Sequence, residues 1–172
     1  MNKLMHLLLV VLAACSLTAC AAPDAGTQAG KPINPGDRIG DFLITTGGDE
    51  VVYYVCTQHC PFDESTSTES CEFLVGAKVN IGVGFYDDLN SKETLDETWA
   101  REASKTAVTI EGRPVNLEAF GFIDIPNPLL GTIRNWNVVI VGEKPGKIAA
   151  HSTGEYDGNR IDQTAALTFV AP

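Results

Sequence analysis

The sequence predicts an all-β sandwich domain carrying one short helix. Three observations lead there. Apolar residues come in short runs rich in Val, Ile, Phe and Tyr, clusters of Gly, Pro, Asn and Asp separate the runs, and several runs alternate between apolar and polar positions. Residues 37–172 are enough for one hydrophobic core and too few for two comfortable domains.

The expected strands are 38–46, 51–57, 71–75, 78–86, 105–111, 114–120, 132–142, 147–153 and 164–170. In the seventh run Trp136, Val138 and Ile140 share one face, with Asn135 and Asn137 on the other. In the last run Leu167 and Phe169 oppose Ala166, Thr168 and Val170. Glu111-Gly112, Lys144-Pro145-Gly146 and Asp157-Gly158-Asn159 are turn signals between runs. Residues 91–103 alone read as helix, with Leu95 and Trp99 one turn apart. Both tryptophans read as core residues.

The N-terminus precedes this domain. Met1-Asn2-Lys3 is short and positive, and residues 4–17 are apolar except for His6, Cys15 and Ser16. That run is shorter than the roughly 20 apolar residues a membrane helix needs. It has the flanks of a secretory signal peptide. It ends in Leu17-Thr18-Ala19-Cys20, which resembles the lipobox of bacterial lipoproteins. The resemblance implies removal of residues 1–19 and palmitate-type acylation of Cys20. Leu12-Ala13-Ala14-Cys15 is a second match, disfavoured because cleavage there leaves a very short signal. Two or three acyl chains hold a protein stably on a membrane, whereas one does so only marginally. Ala21 follows Cys20 where an Asp favours inner-membrane retention, so the expected location is the outer membrane or cell surface. Residues 20–36 then form the lipidated cysteine and a flexible tether of Ala, Gly, Pro, Thr and Gln. Sixteen such residues reach at most roughly 55 Å and average about 22 Å as a coil.

The C-terminal third carries a second resemblance. Trp136-Asn137-Val138-Val139-Ile140-Val141, Lys144-Pro145-Gly146-Lys147-Ile148, Asp157-Gly158 and a closing Val/Phe strand look like the last strands of bacterial immunoglobulin-like domains. The resemblance spans roughly the last 40 residues and implies an immunoglobulin-like β-sandwich. That fold hosts many functions and supplies no activity by itself.

The net charge is −10, and loss of Lys3 on processing makes it more negative. This argues against nucleic acid or anionic lipid headgroups as partners, which want a basic footprint. It suits a solvated domain facing the cell exterior.

Cys56-Thr57-Gln58-His59-Cys60-Pro61, with Cys71 beyond, is the densest chemical cluster. An exported location is oxidising, which favours a disulfide. Cys60–Cys71 is the expected pair and Cys56–Cys71 the alternative. The bond is expected to pin the polar loop 63–70, which has no apolar residue to bury. Alternatively Cys56, His59 and Cys60 ligate copper(I) or zinc, for which thiolate and imidazole are suited. The Cys-x-x-x-Cys-Pro string resembles the copper motif of membrane-tethered thioredoxin-like cytochrome oxidase assembly factors. A helix follows that motif in the family, and here a polar loop and a strand are expected. A redox dithiol of Cys56 and Cys60 is the third possibility.

Asp87, Asp88 and Asn90 are a weak calcium candidate, followed by Glu93 and Asp96. Lys92 takes the next alternate place and no Gly follows, so these residues read instead as helix-capping acids. With surface aromatics such a site would make a calcium-dependent carbohydrate-binding module. The chain has no Gly-x-Ser-x-Gly, no His-Glu-x-x-His and no phosphate-binding glycine loop. The leading expectation is therefore a non-enzymatic lipoprotein without cofactor, bound to the membrane through its lipid. Its other partner is an unknown protein or glycan.

Overall fold

A computed structural model describes residues 30–47, 52–53, 60, 62–86, 93–127, 131–156 and 158–172. The described residues are mostly strand, as the alternating runs require. In chain order they form β1 (Arg38–Ile39), β2 (Phe42–Thr45), β3 (Val52–Tyr53), β4 (Phe62–Asp63), β5 (Thr68–Leu74), β6 (Lys78–Asn80) and β7 (Gly84–Tyr86). Helix α1 (Leu95–Glu102) follows and tightens into a 3-10 turn, Ala103–Lys105. Then come β8 (Ala107–Ile110), β9 (Arg113–Pro114), α2 (Leu117–Phe120), β10 (Phe122–Asn127), β11 (Gly131–Trp136), β12 (Val139–Gly142), β13 (Gly146–Tyr156) and β14 (Asn159–Val170).

Turn chemistry sets the local units. Glu111 and Gly112 both have positive φ, 49° and 73°, between the paired residues Ile110 and Arg113. That is the two-residue hairpin geometry whose twist matches the flanking strands. Strands β13 and β14 pair up to Tyr156 and Asn159, and Gly158 between them has a positive φ of 75°. The resulting hairpin is the longest in the molecule among the described residues.

Pairing then assembles the sheets. One has the order β4-β5-β14-β13-β8-β9, with β5 parallel to β14. A second has the order β1-β2-β12-β6-β3 and a third β10-β11-β7. The last two are stitched together: the Ile81 amide donates to the Val138 carbonyl at 3.1 Å and the Trp136 amide to the Val83 carbonyl at 2.8 Å. One core joins the layers. Phe42, Ile44, Val79 and Ile140 contribute from the five-stranded sheet, and Val108, Ile110, Ile148, Leu167 and Phe169 from the six-stranded one. Phe42 and Phe169 meet across it with ring centroids 5.7 Å apart. Gly142 backs directly onto Phe169, where an added Cβ would lie 2.9 Å from the Phe169 Cβ.

Several expectations are corrected. Run 132–142 is two strands, because the chain changes partner at Asn137 and Val138. Asn137 conceals the break: its Oδ1 accepts from the Gly47 amide at 2.9 Å and its Nδ2 donates to the Gly47 carbonyl at 3.3 Å. The side chain thus continues the β2–β12 ladder after the main chain has left it. Asn135 is buried, not outward-facing, with 3% of its surface exposed. Its Nδ2 lies 3.4 Å from the Oδ1 of buried Asn80, whose own Nδ2 donates to the Trp136 carbonyl at 3.0 Å. Run 114–120 contains helix α2, making two α-helices where one was expected. Leu117 and Phe120, three residues apart, are buried while Glu118 and Ala119 are exposed, a helical rather than an alternating period. Strand β10 was not anticipated. Pro126 argues against an interior strand, and β10 is indeed an edge strand. Finally, Ile33 is fully buried and exchanges main-chain hydrogen bonds with Pro114 and Asn116. The packed domain therefore begins before residue 37, and the last part of the expected tether belongs to it.

Candidate functional site

The strongest chemical cluster lies on β5. Cys71 faces the core with 5% exposure, and Glu69, two residues earlier, shares its face and is half-buried. Parallel pairing holds both against β14, with Cys71 opposite Leu167 and Glu69 opposite Ala165. The sulfurs of Cys60 and Cys71 lie at disulfide distance, their Cα atoms 4.7 Å apart. One Glu69 carboxylate oxygen and the two sulfurs all lie within 4.8 Å of one another. Among the described residues the Glu69 carboxylate has no hydrogen-bond or ion-pair partner.

Glu69 also lines a cavity of about 160 Å³ between the layers. Ile81, Val83 and Gly84 bound it on one side, and Ser152, Ile161 and Gln163 of the β13–β14 hairpin on the other. Gly84 packs against the Arg134 carbonyl and Asn135, where a Cβ would come within 2.6 Å of the Asn135 Cα. A cavity of this order holds a benzene-sized group or several waters, and its lining is mixed, with Glu69, Ser152, Gln163 and Thr164 set among apolar side chains.

A second cluster surrounds Arg134. Its side chain is only 11% exposed, so its charge is expensive unless paired. Nε and Nη2 donate to the two carboxylate oxygens of Asp124 at 2.6 and 2.7 Å, and Nη1 donates to Asp96 at 2.6 Å. Asp124 is its register partner across β10–β11. Asp96 comes from the first turn of α1, so the guanidinium ties the helix to the hairpin. It also lies 4.3 Å from the centre of the Phe122 ring. Trp99 packs beneath, with ring centroids 4.6 Å from Trp136, 5.2 Å from Phe122 and 5.7 Å from Phe85. Arg134 is raised above its ordinary pKa, chiefly by the Asp124 hydrogen bond, and the Asp124 carboxyl is held below its own by Arg134.

Helix α1 buries a carboxylate as well. Glu102 is 2% exposed and accepts from Arg101 Nε at 2.6 Å, while Lys105 Nζ lies 2.9 Å from its other oxygen. That second contact is an ion pair without hydrogen-bond geometry. Arg101 also pairs with Glu93. These cations, Arg101 before Lys105, hold Glu102 below the ordinary carboxylate range.

The structure thus brings Cys60 and Cys71 together. Cys15, Cys20, Cys56, His59, Asp87, Asp88 and Asn90 lie outside the described residues. Loop 63–70 is shorter than expected, because Thr68, Glu69 and Ser70 already belong to β5. A turn over residues 64–67 joins β4 to β5, and Asp63 Oδ1 accepts from the Ser65 amide at 2.9 Å and its hydroxyl at 2.6 Å. The segment is ordered by main-chain pairing as well as by the sulfur link. Trp136 is 8% exposed and Trp99 packs on the core, as read. Sequence reasoning missed Glu69, whose signal was its two-residue spacing from Cys71, and Arg134, which carried none. The chain matches no family model, no curated protein and no solved structure.

Proposed function

We propose that this chain is a lipid-anchored, extracytoplasmic lipoprotein whose folded part is a non-enzymatic binding or envelope-interaction module. The observation that carries the reading is Leu17-Thr18-Ala19-Cys20 directly after an apolar run with a basic start. The negative charge favours a partner other than nucleic acid or anionic lipid headgroups. Two mainly antiparallel sheets sharing one core support the immunoglobulin-like reading. The cavity beside Glu69 supplies a concave seat with a few converging polar groups, the usual form of a small-ligand site.

Cys20→Ser is expected to abolish incorporation of labelled fatty acid and to release the protein from the membrane fraction. Labelling retained on Cys15 would move the anchor, and a wild-type protein that never sediments with membranes would refute the lipoprotein reading.

A further inference from the structure

The sulfur pair and the Glu69 carboxylate form a donor set distinct from the Cys56, His59 and Cys60 combination that the sequence suggests. While Cys60 is bonded to Cys71, its sulfur is unavailable to a metal, so any thiolate site here opens only on reduction. A dithiol reductant supplies two electrons and two protons: the S–S bond breaks, two thiols form, and the reductant closes to its own disulfide. Cys60 is half-exposed and Cys71 buried, so the reductant's thiolate attacks the Cys60 sulfur and Cys71 leaves first.

We propose that the reduced Cys60 and Cys71 thiolates and the Glu69 carboxylate bind one zinc ion. Zinc prefers tetrahedral sulfur, nitrogen and oxygen donors at about 2.0–2.3 Å, which sets donors roughly 3.5–3.8 Å apart. The three donor atoms lie within 4.8 Å of one another, and on reduction the two sulfurs have to part from bonding distance to reach the zinc spacing. A strand and its neighbour hold them: Glu69 and Cys71 share one face of β5, and parallel pairing with β14 fixes that strand. The carboxylate oxygen favours zinc over copper(I), which selects thiolates and thioethers. Binding releases the two thiol protons, and a water completes the fourth position. Glu69 has no cationic partner among the described residues, so its carboxylate is open to a metal ion. Exchange with a disulfide oxidant re-forms the Cys60–Cys71 bond, passes the two electrons to that disulfide, which leaves as two thiolates, and releases the zinc. The corner is thereby a redox-gated metal site.

The test uses the full-length protein in detergent, either oxidised or reduced with dithiothreitol and desalted anaerobically. Zinc is titrated against a chromophoric chelator, and cobalt(II) absorption reports tetrahedral thiolate ligation. The reduced protein is expected to bind one zinc, at least about 100-fold more tightly than the oxidised form. Glu69→Gln is expected to weaken binding at least about tenfold while leaving the oxidised thermal midpoint unchanged. Cys60→Ser is expected to remove the cobalt–thiolate band. Equal affinity in the two redox states overturns the proposal. So does wild-type affinity in Glu69→Gln, or loss of binding in His59→Ala or Cys56→Ser while Glu69→Gln binds normally, because the metal then sits on other donors.

Discussion

The Arg134 corner and the Cys60–Cys71 corner hold the same β-rich domain by different chemistry. Phe85, Trp99, Phe122 and Trp136 come from β7, α1, β10 and β11, and Arg134 caps them with two carboxylates. That corner joins β7, α1, β10 and β11, and of its ion pairs only Arg134–Asp124, facing each other on the β10–β11 hairpin, is local, so it is complete only once those elements have packed. The cysteine corner spans eleven residues of chain and is polar along most of its length. It has little apolar surface to bury and relies on main-chain pairing and one covalent bond. The first should respond to truncation and acid, and the second to reductant. The difference shows why a small domain gains most from a disulfide where its own sequence offers least burial.

Breaking the covalent corner has the largest expected effect. Closing a loop of this length is worth about 3 kcal/mol in the chain-entropy account. Reduction, or Cys60→Ser, should lower the urea midpoint by a corresponding amount. A variant unfolding at the wild-type midpoint would mean that β5 is held by pairing with β14 alone.

Arg134→Met comes next. It keeps an apolar stem against Trp99 and Phe122 but removes the charge from between Asp96 and Asp124. We expect a loss of about 2 kcal/mol, less than the roughly 3–5 kcal/mol of a fully buried pair, because Asp124 and Asp96 stay in contact with water. The same variant sharpens the pH contrast. Asp124 is held below its ordinary value of 3.8 when folded, so its stabilisation is complete above that value. It is lost as pH falls through the lower folded value. Unfolding measured at pH 7 and about pH 3 should show a shallower acid loss for Arg134→Met than for wild type, while reduction leaves the pH dependence unchanged.

The smallest effect tests how α1 delivers Asp96 and Trp99 to the corner. Thr94 Oγ1 accepts from the Glu97 amide at 3.3 Å, and Glu97 returns to the Thr94 amide at 2.8 Å. Thr94→Ala should cost about 1 kcal/mol and loosen the helix without unfolding the sheets. Amide exchange over α1 should accelerate while β13 and β14 keep their protection.

Both corners were unequally legible in the sequence. The all-β class, the hairpin turns at Glu111-Gly112 and Asp157-Gly158, and the core roles of Leu167 and Phe169 follow from local periodicity and turn chemistry. The expected helix 91–103 starts late, at Leu95, because Thr94-Leu95-Asp96-Glu97 forms the capping box. That four-residue pattern was readable and outweighs the acids before it. The break at Asn137 was not readable, since an asparagine that imitates a strand partner looks like any outward polar residue. Arg134 was equally opaque: its burial depends on a hairpin pairing with Asp124 in a strand that the sequence did not reveal, and on Asp96, which only packing of α1 brings near. At the cysteine corner the expected pair was among those the spacing allows, but Glu69 gained significance only when β5 proved to start at Thr68.

The contrast between the corners rests on which sulfurs are joined. Peptide mapping of the oxidised full-length protein, alkylated after denaturation and digested without reductant, answers that directly. The account predicts one cross-linked peptide pair joining Cys60 to Cys71, with Cys56 recovered alkylated. A Cys56–Cys71 link, or alkylation of all three cysteines, would contradict it.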